Sequence, residues 1–69
     1  MLKDAHMDKR NKREFAVTLR NWREKNELSM MQLAVKVGVS LQTVYRWERG
    51  DNLPSKLAAE KFRTLGIPA

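Results

Sequence analysis

The chain has 69 residues, 42% of them hydrophobic and none of them cysteine, with 14 Lys and Arg against 8 Asp and Glu for a net charge of +6. A chain this short buries only about 60% of its unfolded surface. With no disulfide and no cluster of metal ligands to supplement it, one small hydrophobic core must hold the fold. No apolar run approaches the roughly 18–20 residues of a membrane span, no signal-peptide pattern is visible, and the lack of cysteine fits a cytoplasmic protein.

The charge excess and a pI near 10.2 favour an anionic partner, most often nucleic acid. Its distribution sharpens this. Residues 1–13 carry five positive and two negative charges, residues 14–27 balance, and residues 28–50 are net +2. The N-terminal stretch MLKDAHMDKRNKR has no apolar periodicity and few aliphatics, so residues 1–13 read as a basic, mostly flexible arm, with room for helix near its end.

From Glu14 the pattern becomes helical. Phe15, Leu19 and Trp22 recur at i, i+4 and i+7, and this first helix should run to about Asn26. LSMMQL then gives a strong start signal. Ser29 can cap the next helix, Gln32 can bond back to it, and Leu28 with Leu33 has the spacing of a hydrophobic staple. Leu33, Ala34 and Val37 make the apolar face of that helix, and Gly38 ends it in the left-handed region. Only Gly38, Val39 and Ser40 precede the third helix, which Ser40 caps and which ends near Gly50. The turn DNLPS follows. Ser55 caps a fourth helix with Leu57, Ala58, Phe62 and Leu65 as its stripe, and residues 67–69 are left as a tail. No strand-like alternation of any length occurs. The expected fold is all-α, a compact bundle of four short helices over residues 14–66.

The third helix, within VSLQTVYRWERG, has more polar surface than a core needs. At about 100° per residue, Leu41 and Trp47 fall roughly 60° either side of Val44, and these three make the inner stripe. Arg49, Gln42 and Arg46 fall at roughly 140°, 160° and 200°, with Tyr45 flanking at about 100°. Two guanidiniums and an amide therefore share one outward ridge. Arg pairs bidentately with guanine and Gln with adenine, and a helix of this width fits the major groove of B-DNA. Two helices joined by a three-residue turn containing Gly, the second presenting such a ridge, have the layout of a helix-turn-helix.

MMQLAVKVGVSLQTVYRWERG resembles the helix-turn-helix of the phage repressor and Cro (Xre-like) family. The resemblance rests on Ala34 at the helix crossing, Gly38 in the turn, Val44 and Trp47 inside, and the run WERGDNLPS. Upstream, LRNWREKNELS is similar to the family's first-helix pattern, with Leu19, Arg20, Arg23, Leu28 and Ser29 in register. The resemblance implies a lambda-repressor-like fold and a transcriptional regulator of bacterial, archaeal or phage origin that binds double-stranded DNA. It implies that Arg23 and Glu48 form a salt bridge between the first and third helices, and that Ser40, Leu41, Gln42 and Arg46 face bases. Thr43, Tyr45 and Arg49 would reach phosphates or flank the contact. Lys56 opens the fourth helix, where backbone N–H groups can also meet a phosphate. Lys9, Arg10, Lys12 and Arg13 of the arm would add backbone contacts.

Two positions depart from the family pattern. Met30 stands where the family usually has a phosphate-touching Gln, with Gln32 two residues later. Glu27 stands where Gly is common, so Asn26 or Glu27 must take the turn conformation. The fifth helix that contributes to dimerisation in many relatives is not represented in these residues. A homodimer on an inverted-repeat operator is therefore compatible with the resemblance but not implied by these residues.

No catalytic constellation accompanies these features. The one histidine, His6, lies in the basic stretch beside Asp4 and Asp8, and no phosphate-binding or dinucleotide-binding glycine pattern exists. The expectation is a chain that is not an enzyme and takes no cofactor. The rival reading is a protein-interaction or antitoxin-like module on the same scaffold. Such a module should place aromatics or aliphatics where Gln42, Arg46 and Arg49 stand.

Overall fold

The computed structural model describes the backbone of residues 2–68 and the side chains of residues 11–68. Four helices follow in order, α1 (Leu2–Lys25), α2 (Met30–Val37), α3 (Leu41–Arg49) and α4 (Lys56–Leu65), with no strand among the described residues. No helix among them is long and apolar enough to cross a membrane.

The first helix differs from the sequence-based expectation. It does not begin near Glu14 but runs unbroken from Leu2. The reason is propensity joined to cooperativity. Residues 2–13 contain no Gly or Pro and several strong helix formers, among them Leu2, Ala5, Met7 and Arg10. Once residues 15–22 have been fixed by packing, each further residue adds a hydrogen bond without a new nucleation cost.

The caps are made as the residue types dictate. Ser29 N–H donates to Gln32 Oε1 at 2.8 Å while Gln32 N–H donates to Ser29 Oγ at 3.0 Å, a complete capping box. Ser40 and Ser55 accept from the N–H groups of Thr43 and Ala58 at the starts of α3 and α4. At the other ends the chain reverses through left-handed residues. Gly38 (φ 87°) closes α2, with both Gly38 N–H and Val39 N–H donating to Ala34 O. At the end of α1 a non-glycine, Glu27, takes this role at φ 56°. Leu28 N–H then reaches back to Arg23 O at 3.0 Å.

The core sits where α1, α3 and α4 converge, and each contributes one ring. Phe15 lies edge-on to Trp47 at 6.1 Å and stacks on Phe62 at 5.7 Å, while Trp47 meets Phe62 edge-on at 5.2 Å. Such pairs contribute about 0.5–1.5 kcal/mol each beyond burial, which matters in a domain whose whole stability is about 3–10 kcal/mol on a per-residue scale. Leu19, Leu33, Ala34, Val37 and Val44 complete the cluster. Ala34 is small enough for α2 to lie close to α3.

Three apolar assignments change. Leu57 is expected on the inner stripe of α4 but is 77% exposed, whereas Leu65, half-buried, packs against the core as its place on that stripe requires. Ile67, expected in the tail, instead lies in the core. Its N–H donates to Phe62 O at 2.8 Å while Gly66 N–H donates to Arg63 O. A Schellman ending of this kind folds the residue after the glycine back over the last turn. Leu41, expected beside Val44, is 42% exposed. The inner face of α3 is instead Val44, Trp47 and Glu48.

Candidate nucleic-acid interface

The site is built on α3, and its inner face explains how that helix is held. Glu48 lies about 40° from Val44 on the helical wheel, so its carboxylate is carried inward and its side chain is 2% exposed. A buried carboxylate needs a partner for its charge and bonds for its lone pairs. Arg23 of α1 supplies both, with Nε donating to Oε2 at 2.6 Å and Nη2 donating to Oε1 at 2.9 Å. Its remaining nitrogen, Nη1, donates to Leu28 O at 3.0 Å. One guanidinium thus joins α1, the α1–α2 turn and α3. The hydrogen bonds to Glu48 raise the Arg23 pKa above its ordinary value, partly offset by desolvation. Arg20 stands further out, 55% exposed, with Nε 3.7 Å from Glu48 Oε1 and Nη2 donating to Glu48 O at 3.4 Å.

With one side fixed, the opposite side of α3 faces out. Gln42, Tyr45, Arg46 and Arg49 are all exposed. Arg46 and Gln42, one turn apart, have no hydrogen bond or ion pair from the described residues. Arg49 is more constrained. Its guanidinium carbon lies 5.5 Å from the centre of the Tyr45 ring, and its Nε is 3.5 Å from Asp51 Oδ2. Ser40 and Thr43 share a hydroxyl–hydroxyl bond of 2.9 Å at the start of the helix. Ser40 is exposed there and Thr43 half-buried. Six of the expected contact residues, Ser40, Gln42, Thr43, Tyr45, Arg46 and Arg49, therefore lie on one helix and its cap, together with Leu41 at its first position.

The remaining basic residues sit on other elements. Lys56 is exposed at the first position of α4. Lys12 and Arg13 belong to α1, and a Cβ added to Gly50 would lie 3.9 Å from the Lys12 carbonyl oxygen. At Lys12, α1 thus passes beside the C-terminal end of α3. Lys9 and Arg10 lie on the same helix, but their side chains fall outside the described residues.

Two features were absent from the sequence-based expectation. Asp51 as a partner of Arg49 could have been found, since the two are two residues apart across the helix-ending Gly50. The contribution of Met30 to the α3 surface, through an apolar notch it forms with Leu41, Gln42 and Tyr45, depends on how α2 and α3 cross and has no local signal. Among the described residues no group of three or more His, Cys, Asp or Glu could hold a metal ion.

Comparison with known proteins agrees with this architecture. A search of curated proteins and one of solved structures return no match. A family model described as a helix-turn-helix domain matches residues 14–65, a span that takes in the packed part of α1, all of α2 and α3, and α4 to its last residue. The chain belongs to the helix-turn-helix domain family, a family of DNA-binding domains.

Proposed function

We propose that the protein is a sequence-specific transcriptional regulator of the Xre-like type, acting as a repressor by placing residues 40–49 in the major groove of double-stranded DNA. The observation that carries this reading is the asymmetry of α3. Its inner face is completely packed and hydrogen-bonded, while Gln42 and Arg46 stand exposed with no partner on the described part of the chain. In this reading Ser40, Leu41, Gln42 and Arg46 meet base edges. Thr43, Tyr45, Arg49 and Lys56 meet the sugar-phosphate backbone, which sets register without carrying sequence information. Lys9, Arg10, Lys12 and Arg13 add phosphate contacts from α1, which passes the end of α3 at Lys12. The setting is the bacterial, archaeal or phage-host cytoplasm, on the nucleoid. Two copies would bind half-sites about one helical turn apart on an inverted repeat.

Repeated selection from a random duplex library at near-physiological salt, followed by sequencing, tests the reading. Enrichment of an inverted repeat supports a dimeric reader and supplies the operator. A single enriched half-site supports reading by a monomer. A folded protein that enriches no sequence overturns the proposal and turns attention to protein partners on the same face.

A further inference from the structure

The reading face is not uniformly polar. Where the first residue of α2 meets the first turn of α3, Met30, Leu41, Gln42 and Tyr45 line an open notch that exposes almost no polar surface. Leu41 is 42% and Tyr45 48% exposed. Neither belongs to the core, although Met30 packs against it from beneath. The far wall is stiffened, because the Arg49 guanidinium lies over the Tyr45 ring. An occupant suited to an apolar notch on a strongly basic chain brings a small apolar group together with negative charge.

Duplex DNA offers that combination. In the major groove the apolar group presented by the base pairs is the C5-methyl of thymine, and phosphates flank it on both strands. Arg46, one turn beyond Gln42, and Arg49, two turns beyond it, are exposed on the same helix and provide the complementary charge. Gln42 provides a polar edge beside the apolar floor, suited to the adenine of an adjacent pair. We infer that the Met30–Leu41–Tyr45 notch seats a thymine methyl group and so selects thymine over cytosine at one position of each half-site. The inference rests on the proposed reading of DNA by α3. It adds Met30, a residue of α2, to the groups that determine sequence preference.

The test uses the duplex recovered by selection, with each thymine replaced in turn by deoxyuridine, which removes only the methyl group. One such replacement should weaken binding about three- to fivefold, as burial of one methyl group is worth, and the others should change it little. In the variants Leu41→Ala and Met30→Gln the same replacement should cost less than about twofold, since the contact has already been lost. Thermal melting of both variants establishes that they are folded. The inference is overturned if no thymine is sensitive to loss of its methyl group, or if the sensitivity persists undiminished in both folded variants. Those results leave the selection of a sequence intact. A selection that enriches nothing removes the DNA-reading proposal and this inference with it.

Discussion

The two faces of α3 differ in how completely the rest of the chain determines them. Inside, Val44, Trp47 and Glu48 are buried, and every polar atom of Glu48 is accounted for by Arg23 and its neighbours. Outside, Gln42 and Arg46 are exposed. On the proposed reading of DNA by α3, nine residues carry two separable tasks, anchoring and recognition, divided by the 100° step of the helix. Substitutions on the inner face should change melting and leave the preferred sequence alone, and those on the outer face should do the reverse.

Trp47→Ala should break the anchoring face most severely. It empties the centre of the three-ring cluster at a cost of about 3–5 kcal/mol, comparable with the whole stability of the domain, so thermal denaturation should show little or no cooperative transition. Arg23→Ala should follow, at about 3 kcal/mol, because it leaves a buried carboxylate without its main partner. Arg20→Ala is the control. That exposed residue should cost less than about 1 kcal/mol, and equal losses in the two melts would show that Glu48 depends on both. The raised Arg23 pKa means that its contribution is complete at every pH below arginine's ordinary value and is lost only as pH rises through the raised one. From Arg23 itself, melting should therefore show no pH dependence between mild acid and mild alkali.

The recognition side gives the smaller effects. Changing Lys9, Arg10, Lys12 and Arg13 together to Ala should weaken binding to all duplexes alike. It should also flatten the log–log salt slope by up to about 3.6, at about 0.9 per phosphate contact, and an unchanged slope in a salt titration would remove this part of α1 from the interface. Arg46→Ala should cost about 1–3 kcal/mol of binding and relax preference at one base position, with the melting temperature unmoved. A loss independent of DNA sequence in competition assays would place Arg46 on a phosphate instead. Ser29→Ala, which removes half of the α2 capping box, should cost about 1 kcal/mol of stability and leave the preferred sequence unchanged.

Much of this division can be read from residue order alone because helix caps are local. Ser29, Gln32, Gly38, Ser40 and Ser55 fix the starts and turns through hydrogen bonds spanning three to five residues, and the exposure of Gln42 and Arg46 follows from helical spacing once Val44 is set inside. What spacing does not carry is where each helix runs past its neighbours. Leu41 and Leu57 lie at the first and second positions of their helices, where an apolar residue can extend beyond the neighbouring element, and both are exposed. Ile67 had a local sign in Gly66, since the residue after a helix-ending glycine commonly folds back over the last turn. The length of α1 was hidden for another reason. Residues 2–13 have helical propensity without an apolar stripe, and propensity is decisive only when an adjoining packed segment supplies the nucleus.

Glu27 gives the fold an untapped reserve. An L-residue in the left-handed region carries a steric cost of about 1–2 kcal/mol, offset in glycine by a larger loss of chain entropy on folding of about 0.5–1 kcal/mol. Glu27→Gly should therefore raise stability by up to about 1 kcal/mol, at a site in the α1–α2 turn away from the ring cluster and the α3 ridge. For a small domain near the lower limit of self-sufficient folding, such a position sets mutational tolerance. A chain relieved of that strain could absorb more destabilising changes on the exposed face of α3, and, if that face reads DNA as proposed, acquire a new preferred sequence while still folding.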